Sequence, residues 1–468
     1  MKIEQYFSRM LIFTPQTIAT AVAVLLVVAT GAIGLLLPGN YAPLYVAAAV
    51  LSVLLMIGGV KRPLLGFLTA IWLVFLPLGL IPAEIHSFLN RLATIGAVAA
   101  WCFTAVSKPQ KIALNPAILI MAAFLVWGLM TAGWSSSPSQ TFYQLQIYAL
   151  RWLLFLCLGT NFLNESKTQM TFMRVIALNG WILMGAFIFT LLTTGFTPGA
   201  RLKIAAMNEN ESAVYALLFI PAILWSTLSV QKKVQLRQRL PSILYMALTS
   251  LIAVMSASRG SILSLVILML GFLFIRETRL YPLLAIGATA LVVIFFPQVF
   301  STLLYRLTIE SSESLLGGRE AIWKAAMRLI SEHGWVGVGL GNAPTEIIRY
   351  LRYFSPIYTD RVALHNPLLT IWAESGLIGL ILYSGVLGSS ILIFALRFVR
   401  ALHQVRSNSV AVYGVIGVTV LAYLVSWFKG GGSESEFAFF LALAMLNLPL
   451  EFSPPAPGRA ARWERKPA

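Results

Sequence analysis

Long apolar runs recur along this chain up to residue 452, and they limit its fold more than any other feature. About twenty apolar residues in a helix span the roughly 30 Å hydrocarbon core of a bilayer. A helix satisfies every backbone group inside that core, whereas the residue alternation typical of membrane β-barrels is absent here. The sequence therefore predicts an all-α polytopic membrane protein with fourteen apolar segments, at about 17–37, 43–60, 64–81, 88–106, 115–133, 143–163, 171–195, 213–228, 241–257, 261–275, 280–298, 366–396, 410–428 and 437–452.

The composition agrees with this fold class. Hydrophobic residues make up 58% of the 468 residues and charged residues 11%, whereas soluble proteins have about 25% charged residues. The first apolar run ends in Pro38-Gly39-Asn40 without a small-residue cleavage pattern, so we expect an uncleaved signal anchor. Cys102 and Cys157 fall inside apolar segments, so neither a disulfide nor a cysteine metal site is expected.

The formal net charge of +17 suggests nucleic-acid binding, but the positions of the charges argue against it. Basic residues cluster in alternate loops, as they do on the cytoplasmic side of membrane proteins. If the amino terminus is cytoplasmic, every such cluster falls on that side: Lys61/Arg62, Lys108/Lys111, Lys167, Lys232 to Arg239, Arg276/Arg279, Arg397 to Arg406 and the 459–466 tail. We therefore predict this orientation, contact with membrane lipid and no nucleic-acid partner.

One integral membrane domain is predicted over residues 1–468, with one long outer loop at 298–365. Within this loop, residues 319–333 show helical apolar spacing, and a second amphipathic helix is predicted at 344–354. The glycine-rich stretch 337–342 between them lacks the preceding strand and the Gly-Lys-Ser/Thr of a phosphate loop. We predict a close-packing turn there.

Thirteen basic residues fall on the outer side, against the usual trend, so some are expected to face an anionic ligand. For the seven in the long loop, the alternative is that long loops cross the membrane whatever their charge. That alternative does not cover Arg151, Arg201 and Arg259. Arg151 lies inside an apolar segment, where an arginine costs several kcal/mol unless it faces a partner or a wet cavity or snorkels to the surface.

His365 lies where the long loop meets the next apolar segment, and it is followed by a helix-start pattern. Asn366 can cap the first turn, and Pro367 suits the first helical position. The positive end of the helix dipole would disfavour an imidazolium, so we expect a neutral ring that can accept a proton. The alternative is a structural histidine at the interface. His86 and His403 are expected to be solvated loop residues.

Acidic residues are scarce, and this limits the chemistry. Asp360 is the single aspartate, and the first two outer loops contain only Glu84, so no carboxylate cluster is expected to hold a metal. Arginines would then have to neutralise a phosphate leaving group, and His365 would act as the base. Three classes fit this pattern: a glycosyltransferase using a lipid-linked pyrophosphate sugar, an anion or lipid-linked sugar transporter, and a scaffold. The internal repeats or paired broken helices typical of transporters are not evident.

Several motifs resemble one known family. In chain order they are Asn208-Glu209-Asn210, Ser258-Arg259-Gly260, Arg319 with Trp323, the run from Gly337 to Asn342, Leu364-His365-Asn366-Pro367, and the run from Glu374 to Gly379. Their order and placement resemble the O-antigen ligase/polymerase superfamily of bacterial inner membranes. Glu209 departs from the family's Asn-Pro-Asn pattern. The family is described with twelve membrane helices, so 12–14 are expected here.

The resemblance implies transfer of a polysaccharide from undecaprenyl pyrophosphate to the lipid A–core oligosaccharide, at a site facing the periplasm and without cofactor or metal. It implies that His365 is the base and that Arg201, Arg259, Arg319 and Asn210 bind the pyrophosphate or substrate. Our burial argument adds Arg151 to this set. Lys203 and Arg361 are weaker candidates for lipid A phosphates or core sugars. The same superfamily includes O-antigen polymerases and protein O-oligosaccharyltransferases, and the single long loop favours the ligase.

Overall fold

A computed structural model describes most of the chain between residues 62 and 450. The described residues are 62–76, 83–107, 112–195, 201–204, 207–228, 235–298, 300–301, 303–304, 308, 319–354, 361–403, 407–431 and 437–450. They form helices and connecting turns and contain no strand. The predicted segments 17–37 and 43–60, Asp360 and the basic tail at 459–466 lie outside the described residues.

Thirteen principal helices follow one another along the described chain. They are α1 Pro63–Val74, α2 Ala83–Ser107, α3 Pro116–Met130, α4 Pro138–Phe162, α5 Ser166–Thr194, α6 Glu209–Leu228, α7 Leu236–Met255, α8 Arg259–Phe274, α9 Leu280–Phe295, α10 Arg319–His333, α11 Pro367–His403, α12 Ser407–Ser426 and α13 Phe437–Leu446. A π-helical turn, Trp152–Leu158, lies within α4, and another, Trp427–Gly431, follows α12.

Eight helices of the described part are long and apolar enough to cross a membrane: α2 to α7, α11 and α12. Four shorter apolar helices, α1, α8, α9 and α13, accompany them. The prediction of an all-α polytopic membrane protein is therefore confirmed. In the predicted orientation α1 ends on the outer side, and α2, α4, α6, α8, α11 and α13 begin there.

Asparagine side chains cap two of these helices where the sequence reads Asn-Pro. The Asn115 side-chain oxygen accepts a hydrogen bond from the Ile118 amide at 2.9 Å, at the start of α3. The Asn366 oxygen accepts from the Leu369 amide at 3.0 Å, at the start of α11. The predicted helix start after His365 is therefore confirmed, and such caps stabilise a helix by about 1 kcal/mol.

Stacked aromatic rings hold the membrane core together near the predicted outer side. Trp427, in the turn after α12, stacks on Phe439 of α13 with ring centroids 4.7 Å apart. Phe439 also stacks on Tyr383 of α11 at 5.3 Å. These three fully buried rings fix the turn after α12 between two membrane helices, and such pairs contribute about 0.5–1.5 kcal/mol each beyond burial.

Helix α11 is broken at Gly376, whose backbone has φ 67° and ψ −171°. The glycine-rich stretch 337–342, with the preceding residues from Gly334, packs against this break. The amide of Val338 donates to the Ala373 carbonyl at 3.0 Å, and the amide of Gly339 donates to the Glu374 carbonyl at 2.8 Å. Because the freed backbone groups bond to protein, this break differs from those that line a transport cavity. The sequence reading predicted the close-packing turn but not the break.

Helix α10 packs its apolar face on this junction and forms a second hydrophobic cluster. Ile322, Ala325, Ala326, Leu329 and Ile330 lie buried with Leu364 and Ala373, among others. The α10 bounds agree with the predicted helix at 319–333. The second predicted helix at 344–354 is replaced by two short helices, Ala343–Glu346 and Ile348–Leu351.

Replacing Gly376 by alanine should destabilise the protein. The backbone there has positive φ, and an added Cβ would overlap the Trp335 carbonyl oxygen. We expect a cost of about 1–3 kcal/mol and a lower Tm of the purified protein in detergent. Gly388→Ala in the same helix is the matched control, because an added Cβ meets nothing within 4 Å there. Equal Tm values for the two variants would contradict the close backbone contact.

Candidate active site

His365 sits in a constrained turn at the start of α11. Its backbone φ is 55°, in the left-handed region that residues other than glycine rarely adopt. The preceding carbonyl, that of Leu364, accepts a hydrogen bond from the Trp323 indole of α10 at 2.9 Å. Leu364 is buried, whereas His365 remains partly accessible to solvent. The turn therefore presents the imidazole from an anchored backbone, and such strained positions are typical of functional sites.

The surroundings of His365 favour its neutral form. Loss of water around the ring lowers the pKa of His365 below 6.5, and the nearby positive charge of Arg319 lowers this pKa further. The neutral state predicted from the sequence therefore has support. Its causes are desolvation and a neighbouring guanidinium, whereas we expected the helix dipole. A neutral imidazole can accept a proton from a substrate hydroxyl.

Arg319 begins α10 and connects it to the turn after α12. Its guanidinium donates a hydrogen bond to the backbone carbonyl of Lys429. That carbonyl lies in the π-helical turn Trp427–Gly431, where backbone oxygens are available at the end of a helix. This contact anchors the Arg319 guanidinium at the turn after α12.

Arg259 lies at the first position of α8, half-buried. The Ser258 hydroxyl caps this helix by accepting a hydrogen bond from the Ser261 amide at 3.3 Å. Gly260 faces α12, since a Cβ added there would lie 3.2 Å from the Ser426 hydroxyl oxygen. The start of α8 therefore lies beside the end of α12, immediately before the turn that binds Arg319.

Arg201 is held from three directions. Its Nε donates to the Ser256 carbonyl at 2.8 Å, and its Nη2 donates to the Asn210 side-chain oxygen at 2.8 Å. Its Nη1 lies 3.5 Å from a Glu209 carboxylate oxygen. The same carboxylate lies 3.8 Å from the Lys203 ammonium. Two cations therefore share one carboxylate, at the position where the family pattern has proline.

The predicted site residues form neighbouring groups on the predicted outer side. Arg201 bonds to Ser256, just before the start of α8, and shares Glu209 with Lys203. The start of α8, which carries Arg259, lies beside the end of α12, and the turn after α12 binds Arg319. Guanidiniums can bind phosphate oxygens.

Two predicted residues lie elsewhere. The Arg151 guanidinium lies 4.2 Å from the centroid of the Phe437 ring and lines a cavity of about 400 Å³. None of the other predicted site residues lines this cavity. Arg361 is exposed and donates a long hydrogen bond of 3.4 Å to the Gly341 carbonyl. Arg361 therefore lies against the glycine-rich stretch and is not grouped with Arg201, Arg259 and Arg319.

Other contributions to the site were not anticipated from the sequence. The Lys429 carbonyl is a backbone atom in an irregular turn, and no side-chain pattern marks it. Glu209 differs from the proline of the family's Asn-Pro-Asn pattern, and this difference was the one sequence signal for its pairing with Arg201 and Lys203. His86 was expected to be solvated, yet only 5% of it is exposed, because α2 begins earlier than predicted and packs its ring against α1. Among the residues that the structure describes, no three His, Cys, Asp or Glu side chains converge on a common point.

Part of the chain matches a known family. Residues 244–384, less than a third of the chain, match a family model described as O-antigen ligase. No curated protein matches the chain. The matched stretch contains Arg259, Arg319, Arg361 and His365, whereas Arg151 and the Arg201 cluster lie before it. This match supports the family that the motifs suggest.

Replacing Glu209 by glutamine should tighten the binding of inorganic pyrophosphate to the purified protein. The carboxylate competes for Arg201 and Lys203, and its removal leaves both cations for the anion. We expect a dissociation constant lower by about twofold to fivefold, in line with a partly exposed ion pair. Calorimetric titration measures this, and Glu346→Gln is the control, because Glu346 is not paired with either cation in the structure. Weaker binding after Glu209→Gln would mean that the carboxylate positions Arg201.

Proposed function

We propose that this multi-pass membrane protein is an O-antigen ligase, because residues 244–384 match the family model described as O-antigen ligase. It transfers polysaccharide from undecaprenyl pyrophosphate to the lipid A–core oligosaccharide at the periplasmic face of the bacterial inner membrane. The observation that supports this best is the position of His365, whose left-handed turn is anchored by the Trp323 indole of α10. Arg319, which is suited to binding the leaving group, begins the same helix.

The reaction follows from these positions. The arginines Arg201, Arg259 and Arg319 bind the donor pyrophosphate through charge-assisted hydrogen bonds. The neutral imidazole of His365 removes a proton from an acceptor hydroxyl, and the oxygen attacks the anomeric carbon of the donor. The bond from that carbon to the pyrophosphate oxygen breaks, so undecaprenyl pyrophosphate leaves with the bonding electron pair. Direct displacement inverts the anomeric configuration.

The leaving group gains negative charge in the transition state, and this charge has to be stabilised in place. Metal-dependent enzymes use a divalent cation held by carboxylates. Here the sequence offers seventeen acidic residues against thirty-four basic ones, and Glu209 in the cluster is already paired with two cations. We therefore assign the neutralising role to the guanidiniums and propose a metal-independent reaction.

An O-antigen polymerase or a protein O-oligosaccharyltransferase would use the same donor and the same residues. An anion or lipid-linked sugar transporter would need the arginines but no base. Lipopolysaccharide gels of a deletion strain distinguish a ligase from a polymerase. A ligase deletion leaves bare core while lipid-linked polymer accumulates, and a polymerase deletion leaves core with one repeat.

The variant His365→Asn should lose activity and remain folded. Asparagine tolerates the left-handed backbone at this position, whereas alanine would add strain. Loss of the base should lower the transfer rate by about 10²- to 10⁴-fold. The measurement is capping of lipid A–core in a reaction with purified protein and lipid-linked donor.

Arg349→Gln serves as the charged-residue control, because Arg349 contacts His333 and Tyr350 of the same outer segment and not the arginine cluster. We expect this control to keep its activity. Normal transfer by a folded His365→Asn protein would rule out His365 as the base. A transporter would show no transfer in either the wild type or the variant.

The pH dependence of transfer provides a second test. The neutral imidazole is the active form and its pKa is lowered, so the rate should fall as the pH decreases, with a midpoint below pH 6.5. Arg319→Gln removes one cause of the lowered pKa, so the acidic limb of kcat/KM should move to higher pH, whatever the residual rate. An unchanged limb would contradict the coupling between the two residues.

A further inference from the structure

Two large apolar side chains stand exposed where the long outer loop turns from α10 into the glycine-rich stretch. Trp335 is 74% exposed and Val336 is 41% exposed, whereas Val338 and Leu340, which follow them, are buried. A single exposed apolar residue on a protein surface needs no explanation. The depth of this Trp335–Val336 pair in the helix bundle therefore decides what the pair faces.

Contacts with α11 and α3 give the depth of the pair. The Trp335 carbonyl and the Val336 amide lie against Gly376 of α11. The carbonyl of the residue before Gly376 accepts a hydrogen bond from the Trp127 indole of α3 at 2.7 Å. Trp127 lies six residues before the outer end of the membrane span Pro116–Gly133. At 1.5 Å per residue, the pair lies about 9 Å below that end.

The glycine-rich stretch that follows the pair runs along the same part of α3. Leu340 packs so closely on Gly128 that a Cβ added to this glycine would overlap the leucine side chain. The Leu340 amide donates to the Thr131 hydroxyl at 3.3 Å, and the Trp134 indole donates to the Gly337 carbonyl at 3.2 Å. The stretch therefore reaches below the outer end of α3 and does not lie only above the helices.

The helix surfaces beside the pair are apolar and open at this depth. Both neighbouring helices expose large apolar side chains there: Val126, Leu129 and Met130 of α3, and Ile378 and Ile381 of α11. The three residues of α3 recur at the spacing of one helix face. Such faces of membrane-spanning helices contact lipid. The pair therefore continues a surface that faces the lipid.

The backbone around the pair also fits a position at membrane depth. Irregular backbone is tolerated there only where its polar groups bond to protein. The Gly334 carbonyl accepts from the Leu377 amide at 2.8 Å and from the Trp372 indole at 3.1 Å. The Gly337 amide donates to the His333 carbonyl at 2.8 Å. The turn can therefore enter the lipid, and tryptophan is enriched where membrane and water meet.

We propose that Trp335 and Val336 form a membrane anchor, which inserts the long outer loop into the outer leaflet beside α3 and α11. Its partner is the phospholipid of that leaflet, at the boundary between headgroups and acyl chains. A depth of about 9 Å agrees with the roughly 5–10 Å to which interfacial anchors are buried. This inference does not rest on the proposed function.

The anchor also fixes the height of His365. With the pair in the outer leaflet, the edge of the hydrocarbon passes near the break in α11. The first part of α11, from Pro367 to Gly376, then extends towards water. These ten residues of helix place His365 at most about 15 Å above the break.

Spin labelling of the full-length protein in vesicles of phosphatidylethanolamine and phosphatidylglycerol tests the anchor. The label is attached to Val336→Cys after Cys102 and Cys157 are replaced by alanine. Collisions of the label with O₂, which enters hydrocarbon, are compared with collisions with a hydrophilic nickel chelate, which stays in water. The label at position 336 should collide more with O₂ than with the chelate.

Two control variants bracket this result. Ile381→Cys lies on the exposed apolar face of α11 and should also favour O₂. Thr345→Cys lies exposed in the same outer loop and should favour the chelate.

A label at position 336 that favours the chelate faces water, and this result would overturn the proposal. Few collisions with either reagent would also overturn it, because the pair would then be covered by protein, such as a second copy of the chain. If Val336→Cys lowers the Tm, Trp335→Cys decides by the same comparison, since the Trp335 side chain is the more exposed of the two.

Discussion

Backbone contact between the glycine-rich segment and the break in α11 is the interaction on which the site depends. Amides of Val338 and Gly339 pair with carbonyls on the first part of α11, and the Leu377 amide pairs with the Gly334 carbonyl at 2.8 Å. A Cβ added at Gly337 or Gly376 would overlap the opposing backbone, so this contact requires glycine at both positions. The contact fixes α10 over the start of α11, and the Trp323 indole then fixes the backbone before His365.

Backbone carbonyls at the ends of helices accept hydrogen bonds from two of the arginines in the site. Arg201 donates to the Ser256 carbonyl just after α7, and Arg319 donates to the Lys429 carbonyl after α12. Carbonyls at a helix C-terminus carry partial negative charge and favour a neighbouring cation. Such carbonyls orient a guanidinium and leave its positive charge in place. A carboxylate would neutralise that charge. Glu209 is the exception in the cluster. A chain poor in acids can therefore assemble a positively charged site inside a membrane protein.

The fold class, the helix start at Asn366 and the bounds of α10 followed from the sequence, because apolar runs, caps and helical spacing are local signals. The sequence contains no distances between Arg201, Arg259 and Arg319. We grouped them because their motifs follow the same order as in the family. The break at Gly376 and the cavity lined by Arg91 and Arg151 could not be predicted. A glycine inside an apolar run carries no local signal of a helix break. Arg91 resembles an ordinary cation near a helix end in the sequence, and only the packing of α4 against α2 shows its surroundings.

The indole of Trp127 in α3 donates to the Ser375 carbonyl at 2.7 Å, beside the break in α11. This bond fixes the first part of α11, which begins just after His365, to a neighbouring membrane helix. The backbone amides beside the break should therefore exchange slowly with solvent. In the proposed reaction, the donor polysaccharide and the acceptor sugar have to be positioned at a base whose backbone is held in place.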